Sequence, residues 1–344
     1  MSNYRPNNLG EIVGQDNAKR VLSVLVASYR NTRIPIGHIL MSGPSGVGKS
    51  TLSSVLSREL GVDMFSRTAA RLKRKRDLRD VLDHIEEGDI FFINGIHDVP
   101  SEIQEVLCEV MDEFHYLSSD LSDETDGHAV RNKIEVPRFT LIGTTTHPGK
   151  LSVPFRERFR LQLHFETYGV GELAMLIANL AKMEYGVDRF PRNVATKLAT
   201  LSRGNPRCAA NLVETFIQVA RAARAGTITA ADMKMEYVNT LLNMLSIDPI
   251  VGLDRMARGY LSVLEREDRP VAIRVVSELT NEQESTIRDT IEPFILSEIS
   301  IKTSVNGVVY DIHGPLARAT ASGRELTEVG REYLTACRRL GVKL

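Results

Sequence analysis

Residues 43–50, GPSGVGKS, have the composition and spacing of a phosphate-binding loop, GxxxxGK[ST]. Glycines let the backbone curl so that its N–H groups converge on phosphate oxygens, and the following helix turns its positive dipole end toward them. Lys49 places a charge on the β- and γ-phosphates, and Ser50 offers a hydroxyl to Mg²⁺. The pattern predicts a site for ATP or ADP. The predicted cofactor-binding residues are Gly43, Pro44, Gly46, Val47, Gly48, Lys49, Ser50 and Thr51, and Ser50 is the predicted metal-binding residue.

A second segment, GDIFFINGIH at residues 88–97, bears on whether that nucleotide is hydrolysed. It has the apolar run of a buried strand, which in an ATPase ends in a metal-binding acid and a water-activating acid. Asn94 and Gly95 stand at these two positions, so the pair supplies neither a negative charge for Mg²⁺ nor a base. Losing a general base typically costs about 10²–10⁴-fold in rate. We therefore expect weakly bound Mg²⁺ and slow or absent hydrolysis, with rescue by Asp98 or His97 as the alternative.

Apolar spacing and glycine positions outline the elements that would hold these two segments. Strand patterns alternate with helical patterns over roughly the first 165 residues, which predicts an α/β fold with a parallel sheet covered on both faces. The predicted strands are 38–43, 89–95, 138–146 and 160–166, and the predicted helices are 17–30, 50–60, 77–88 and 101–114.

The pattern then changes. Residues 170–245 are helical almost throughout, and SIDPIVGLD reads as a linker. Three further helices precede ISIKTSVNGVVYDI, in which Asn306-Gly307 separates two β-rich runs and predicts a hairpin. Three helices and a hairpin indicate a winged helix. We therefore divide the chain into a large nucleotide-binding domain (1–168), a small helical lid (169–248) and a winged-helix domain of the DNA-binding type (249–344).

Composition limits the class of protein without naming a partner. The 344 residues are too many for one compact core, and 42% hydrophobic with 25% charged residues fits a globular protein. The formal net charge of −1 favours no partner by itself. The three cysteines lack CxxC spacing, which disfavours zinc and a disulfide framework. With no apolar run long enough for a membrane span and a polar N-terminus, we expect a cytoplasmic protein.

With these segments in view, the chain resembles the RuvB family, the hexameric AAA+ motors of Holliday-junction branch migration. The resemblance extends over almost the whole chain and follows the family's order. It is carried by RPNNLGEIVGQDNAKRVL, the phosphate loop, EEGDIFFINGIH, RFTLIGTTT, VPFRERF and RGNPRCAANLV. It implies an ATPase domain, a lid and a winged helix, and a partner in duplex or branched DNA. Asn94-Gly95 replaces the family's Walker B acids, so this member has a degenerate Walker B motif.

The resemblance also implies roles for residues near the nucleotide. Ile12 and Val13 would lie near the adenine, although the same pair could be an apolar staple before a helix. Thr146 resembles the polar sensor of the γ-phosphate, with a plain strand-end hydroxyl as the alternative. Arg207 resembles the second sensor, which couples the lid to the γ-phosphate, with a surface arginine in a first helical turn as the alternative.

Two arginines in FRERF imply an oligomer. Arg158 resembles the arginine finger that reaches the nucleotide of a neighbouring subunit, and Arg156 is a second contact. The alternative is a pair of surface arginines on a solvated helix. A finger acts only between subunits, so the resemblance implies a homo-oligomeric ring, expected to be a hexamer.

Two other segments depart from the family. Residues 115–136, where the family docks RuvA, are acidic and serine-rich, which disfavours a RuvA-type contact. They form either a surface loop or a docking site for a different, basic protein partner. The hairpin at 300–313 lacks the arginine cluster that would face DNA phosphates.

Basic residues cluster elsewhere. RTAARLKRKRDLR, residues 67–79, is a candidate phosphate-contacting patch, with a solvated face or a subunit interface as alternatives. The candidate DNA contacts are Lys73, Arg74, Lys75, Arg76, Arg318 and Arg324.

Two functions follow from these observations. The first is a RuvB-like ATP-binding protein that acts on branched DNA in recombination or repair, with hydrolysis weak or lost. The second is an ATP-gated ring or scaffold without turnover, which clamps DNA or recruits a partner protein. Fold analogy does not choose between them.

Overall fold

A computed structural model describes residues 6–117, 133–223 and 229–344. The chain separates into two compact units, one that ends at Glu166 and one that covers Thr167–Leu344. The predicted lid and winged helix both fall within the second unit. The three-domain division with boundaries at 168 and 248 remains a proposal.

The first unit is built on a parallel sheet of five strands in the order β2-β3-β6-β1-β7. Each neighbouring pair runs in the same direction, so all five carboxyl ends lie along one edge. We call this the carboxyl edge. The strands are β1 (Ile39–Ser42), β2 (Met64–Thr68), β3 (Ile90–Asn94), β6 (Thr140–Thr145) and β7 (Leu161–His164), and a separate antiparallel pair consists of β4 (His115–Leu117) and β5 (Lys133–Glu135).

Apolar packing explains the order of the sheet. Every residue of β6 is buried, as is β3 up to Ile93, because a parallel sheet is covered by helices on both faces. Gly143 in β6 lies against Ile96, and a Cβ there would be 2.6 Å from Ile96 Cδ1, so a larger residue would displace this side chain. The helices of this unit are α1 (Asp16–Thr32), α2 (Lys49–Leu60), α3 (Lys75–Leu82), α4 (Ser101–Glu113) and α5 (Val153–Glu157).

Two details of the first unit differ from the sequence prediction. The edge strand β2 was not predicted, because its residues MFSRT are half-buried or exposed and mix polar with apolar types. Helix α3 ends at Leu82 rather than at residue 88. The carboxylate of Asp89 accepts hydrogen bonds from the backbone N–H groups of Glu86 (2.9 Å) and Asp63 (3.1 Å). These bonds hold the chain in a turn before β3, where a helix would otherwise continue.

The second unit begins with four helices and continues as a winged helix. The helices of the first part are α6 (Val170–Tyr185), α7 (Arg192–Leu201), α8 (Pro206–Ala222) and α9 (Met235–Leu245). The winged helix consists of α10 (Arg255–Glu267), α11 (Ile273–Thr280), α12 (Glu284–Thr286), a π-turn (Ile287–Ile291), α13 (Glu292–Ile295), β8 (Ser300–Val305), β9 (Val308–His313), β10 (Ala317–Thr320), β11 (Gly323–Leu326) and α14 (Glu328–Arg339). The predicted fold class is confirmed: a parallel α/β sheet, a helical segment and a C-terminal winged helix.

The predicted hairpin is confirmed in its turn as well as in its strands. Asn306 and Gly307 join β8 to β9, and both have positive φ, 51° and 81°. That pair of backbone conformations is the one a two-residue hairpin turn needs. The second hairpin, β10–β11, and the last helix α14 were not predicted.

The linker SIDPIVGLD is held by two buried polar side chains, Asp248 and Arg258. The carboxylate of Asp248 is fully buried and accepts hydrogen bonds from the backbone of Ile250 (2.8 Å), Val251 (2.9 Å) and Leu253. The buried guanidinium of Arg258 donates to the carbonyl oxygens of Ser246 (2.9 Å) and Leu253 (2.5 Å). Both side chains thus satisfy backbone groups that would otherwise be buried without partners.

Lys197 joins α7 to the winged helix across this linker. Its Nζ donates to Pro249 O at 2.6 Å and to Thr303 Oγ1 in β8 at 2.8 Å. Gly252 packs against α7, with a Cβ position only 2.3 Å from Leu201 O and a φ of +84°. Helix α7 therefore contacts the linker at Pro249 and Gly252, and Lys197 also connects α7 to β8.

Among the described residues, no helix has the length and apolar character that a bilayer crossing requires.

Candidate nucleotide-binding site

The phosphate loop lies between β1 and α2 at the carboxyl edge of the sheet. Gly43, Gly46 and Gly48 have φ values of 139°, 81° and 99°, which favour glycine. At Gly43 a Cβ would also be 2.3 Å from Phe165 O, the residue after β7. The loop therefore depends on glycine both for its curl and for the close approach of the neighbouring strand.

The side chains of the loop have defined positions. Lys49 Nζ curls back over the loop and donates to Gly43 O (2.7 Å) and Pro44 O (2.6 Å). These carbonyl oxygens hold the ammonium at the mouth of the loop. Ser50 and Thr51 are exposed in the first turn of α2, where helix N–H groups are available to an anion, and Val47 anchors the loop in the core.

The ends of β3 and β6 form the adjoining wall. The register pairs Asn94 with Thr144 and Ser42 of β1 with Thr145. Thr144 Oγ1 donates to Asn94 Oδ1 at 2.9 Å, and Gly43 N donates to Thr145 O at 3.2 Å. Asn94 and the phosphate loop therefore share the carboxyl edge and are separated by β6 alone.

The candidate sensor Thr146 follows this wall. Its Oγ1 lies 2.9 Å from Nδ1 of His147, whose ring is 5.3 Å from that of His97. His97 Nδ1 lies 3.0 Å from Thr145 Oγ1. Thr144 and His147 were not recognised from the sequence. The signal for Thr144 is the alternation of side chains along β6, since it lies two residues before Thr146, which follows the end of the strand.

Positions 94 and 95, where the family resemblance places two acids, have room for a side chain. Asn94 is exposed, and a Cβ on Gly95 would meet nothing within 4 Å, although the φ of Gly95 is +72°. Asp98 follows in a 3-10 turn (Ile96–Asp98) with a side chain that is 65% exposed, and its Oδ2 lies 3.6 Å from His97 Nε2. The nearest following carboxylate thus points toward a histidine on the turn.

Within the residues that the structure describes, no group of three or more His, Cys, Asp or Glu side chains is placed to hold a metal ion. Carboxylate and other anionic oxygens are the ligands that Mg²⁺ prefers. The protein residues at this edge therefore do not fit a Mg²⁺ site with a carboxylate from β3.

The candidate arginine finger is held by its own subunit. Arg158, at the end of α5, donates from Nε to Asp112 Oδ2 (2.8 Å) and Cys108 O (3.2 Å), and from Nη1 to Pro154 O (2.6 Å). A guanidinium carries five N–H groups, so these hydrogen bonds orient the Arg158 side chain without using all of its donors. Arg156 is exposed and donates to Gln162 Oε1 at 3.3 Å.

The other predicted nucleotide contacts lie in two places. Ile12 and Val13 are half-buried beside α1, and Lys19 Nζ donates to Ile12 O at 2.8 Å. Arg207 belongs to the second unit and is exposed in the first turn of α8. Asn205 caps this helix, because its Oδ1 accepts from Arg207 N at 2.9 Å.

The basic segment follows the carboxyl end of the edge strand β2. Asp77 Oδ2 accepts hydrogen bonds from the backbone of Lys73 (3.1 Å) and Arg74 (2.9 Å), which fixes the start of α3. Lys73, Arg74 and Arg76 are exposed, and Lys75 is half-buried. The segment thus presents cations at the same edge of the sheet as the phosphate loop.

The winged helix offers fewer cations than expected. Arg324 donates to the buried carboxylate of Glu292 through Nε (2.8 Å) and Nη2 (3.2 Å), and Tyr260 Oη donates to the same carboxylate at 3.2 Å. We therefore withdraw Arg324 as a candidate DNA contact, because its guanidinium compensates a buried charge. Arg318 remains exposed but is ion-paired with Glu325.

Of the predicted protein-docking segment 115–136, only its ends are described. β4 pairs with β5 in an antiparallel register, and residues 118–132 lie outside the described residues.

Comparison with known proteins gives consistent matches along the chain. Residues 4–165 match the family model of the Holliday junction DNA helicase RuvB P-loop domain, and residues 250–307 match that of the RuvB C-terminal winged helix domain. The Holliday junction branch migration complex subunit RuvB of Campylobacter jejuni (strain RM1221) is 32% identical over 308 residues, which cover 89% of this chain and 88% of that protein. The same subunit from Ehrlichia ruminantium (strain Gardel) is 32% identical over 305 residues, 89% of each chain.

Solved structures match over the same length. The Thermotoga maritima RuvB Holliday junction branch migration motor superimposes with a TM-score of 0.78 at 26% identity, covering 99% of both chains.

Proposed function

Since the chain belongs to the RuvB family, we propose that it is an ATP-binding protein that acts on Holliday junctions or other branched DNA, with ATP hydrolysis weak or lost. The phosphate loop carries the first half of this proposal, because its backbone, Lys49 and exposed helix start are arranged for a nucleotide. Asn94 and Gly95 carry the second half, because they provide no carboxylate where hydrolysis needs two.

Oligomerisation is part of the proposal. The relatives are named as subunits of a branch migration complex. Arg158 is oriented by Asp112 on an exposed face of its own subunit, which suits a guanidinium that reaches a neighbour's nucleotide. We propose a ring, with six subunits as the expected number, in which Thr146 and Arg207 respond to the γ-phosphate and Ile12 and Val13 border the adenine.

The DNA surface is proposed to include the basic segment. Lys73, Arg74 and Arg76 are exposed in a row at the carboxyl edge, and phosphate contacts need such positive charge. Arg318 is a second candidate because its side chain is 68% exposed. Because Glu325 offsets the charge of Arg318, we expect Arg318 to contribute less to DNA binding than the basic segment does.

A second function is favoured by one observation. Gly95 is in the left-handed conformation that glycine adopts readily and that an acid at this position would adopt only at a cost. This favours a ring that ATP closes without turnover, as a clamp on DNA or a scaffold for a partner protein.

Phosphate release distinguishes the two functions. The full chain is assayed with Mg²⁺-ATP and a four-way DNA junction beside two variants, Lys49→Ala in the loop and Lys182→Ala on the exposed face of α6. Turnover that Lys49→Ala abolishes and that Lys182→Ala retains indicates the first function, with weak hydrolysis. Phosphate release at the Lys49→Ala level by the unaltered protein, together with bound labelled ATP, indicates the gated ring. No ATP binding by a folded protein contradicts both.

DNA binding is tested by its dependence on salt. Lys73→Gln with Arg74→Gln is expected to weaken binding to the junction and to reduce the salt slope by roughly 0.9 for each lost phosphate contact. Lys182→Gln with Lys234→Gln is the matched control, since these lysines are 69% and 57% exposed in the helical segment 169–248, outside the winged helix. An unchanged slope in the first pair removes the basic segment from the DNA surface.

A further inference from the structure

The carboxamide of Asn94 has a defined orientation. Thr144 is 1% exposed, and its hydroxyl lies 2.9 Å from Asn94 Oδ1. A hydroxyl has one hydrogen to donate, and the amide oxygen accepts it in this arrangement. If the amide were turned over, Asn94 would donate to Thr144 instead, and this contact would no longer give the buried hydroxyl an acceptor for its own hydrogen. The satisfied arrangement is the one in which the oxygen of Asn94 faces Thr144.

That orientation decides what the site receives from Asn94. With its oxygen bonded to Thr144, the side chain presents its NH₂ group on the exposed end of β3. An NH₂ group donates two hydrogen bonds and has no lone pair for a cation. The wall beside the phosphate loop therefore carries a donor where the family carries a metal-binding acid.

Donors at this edge favour an anion over a metal. The N–H groups of the loop, the start of α2 and the ammonium of Lys49 are all positive or partly positive. Asn94 adds a further donor, and no carboxylate of β3 opposes the negative charge of the γ-phosphate. In such a site a divalent cation is not needed to bring the phosphates and the protein together.

We propose that Asn94 is a phosphate-binding residue that donates to the terminal phosphate of ATP, directly or through water, and that this protein binds ATP without Mg²⁺. The proposal rests on the proposed function, because it assumes that the phosphate loop holds ATP. It adds that the exchange of acid for amide changed the ligand, from the magnesium complex of ATP to ATP itself.

The test is ATP binding to the full chain, measured by calorimetry in EDTA and in excess Mg²⁺. The unaltered protein is expected to bind with the same affinity in both buffers within a factor of about three, since no ligand of the cation is supplied by β3. Asn94→Asp is expected to bind at least about tenfold more weakly in EDTA, because a carboxylate then faces the γ-phosphate, and to recover in Mg²⁺.

The controls separate charge from structure. Asn94→Ala removes the donor without adding charge, so it is expected to weaken binding equally in both buffers. Asn31→Asp adds the same charge at the exposed end of α1. Tyr29 of that helix end contacts Gly88, which precedes β3, so Asn31 lies near the opposite edge of the sheet. This variant is expected to bind as the unaltered protein does.

Three results overturn the proposal. Binding of ATP by the unaltered protein in Mg²⁺ but not in EDTA removes the metal-independent site and leaves the proposed function standing. Equal binding of ATP by the Asn94→Asp variant in both buffers means that Asn94 does not face the phosphates. If the protein is folded, as judged by circular dichroism, but binds ATP in neither buffer, both the proposed function and this inference are contradicted.

Discussion

Restoring the two acids is the most direct perturbation of the site. Asn94→Asp changes one atom of a side chain, and its oxygen still accepts the hydrogen bond of Thr144. Gly95→Glu is different in kind. A Cβ there meets nothing within 4 Å, so the side chain has room, but the φ of +72° is one that an L-residue adopts at a cost.

The size of that cost follows from the backbone. A left-handed conformation costs a residue with a Cβ about 1–2 kcal/mol. In a domain of 150–250 residues each kcal/mol lowers the Tm by about 2–4 °C. We therefore expect Gly95→Glu to lower the Tm by about 2–8 °C, and Asn94→Asp alone to change it little. Scanning calorimetry or fluorescence-monitored unfolding measures both.

The rate of ATP hydrolysis is expected to rise, whereas the Tm falls. The double variant, Asn94→Asp with Gly95→Glu, gains an acid for Mg²⁺ and a base for water. Its phosphate release with saturating Mg²⁺-ATP should therefore exceed that of the unaltered protein by about 10²–10⁴-fold. Gly95→Gln is the matched control, because it has the same backbone strain and nearly the same size as Gly95→Glu but no base. Asn94→Asp with Gly95→Gln should share the lowered Tm and lack the gain in rate.

Two results would refute this reasoning. A Gly95→Gln variant with an unchanged Tm would mean that the left-handed conformation is not enforced. A double variant that binds ATP and Mg²⁺ but releases phosphate no faster than its Gln control would mean that the missing acids are not what limits hydrolysis.

Three further predictions concern contacts away from the acids. Asp112→Ala is expected to change stability by less than about 1 kcal/mol, since the pair with Arg158 is partly exposed. If Arg158 is the proposed arginine finger, the same variant should reduce ATP-dependent assembly in sedimentation experiments, because Asp112 no longer orients the guanidinium. His38 is buried and neutral, and burial lowers its pKa below the ordinary 6.5. The stabilisation of the fold by neutral His38 is therefore complete above pH 6.5 and is lost as the pH falls from 6.5 toward the lowered pKa. In urea titrations, the free energy of unfolding should exceed that of a His38→Phe variant by less at pH 5 than at pH 8. Lys197→Met is expected to cost about 1.5–3 kcal/mol and to speed amide hydrogen exchange around Thr303 in β8, because a charged donor to two oxygens is lost; unchanged exchange would show that Lys197 does not fasten the linker.

Local patterns allowed the strongest predictions from sequence. The phosphate loop and the turn at Asn306-Gly307 each need positive φ at glycine or asparagine within a few residues, and both have the expected form. The alternation of strands and helices predicted the parallel sheet for the same reason, since a buried strand carries its own apolar run. In these cases, the residues that determine the local structure lie close together in the sequence.

Contacts between distant residues could not be predicted in this way. Thr144 and Asn94 are 50 residues apart, and only the register of β3 with β6 brings them together. Glu292 and Arg324 are 32 residues apart, and the need to compensate a buried carboxylate turned a candidate DNA contact into a structural residue. A basic side chain in a sequence does not reveal which acid it will meet.

The proposal of an ATP-gated ring raises the question of what ATP can do there without being hydrolysed. A ligand at 100 times its Kd stabilises the state that binds it by about 2.7 kcal/mol, if the other state does not bind. Turning a ring from 99% open to 99% closed needs about 5.5 kcal/mol, so two bound nucleotides are nearly sufficient and a ring with more sites has a surplus. Closure therefore does not require the acids that Asn94 and Gly95 replace. Reopening does change: without hydrolysis it waits for ATP to dissociate, and the lifetime of the closed ring on DNA should follow the dissociation rate of the nucleotide.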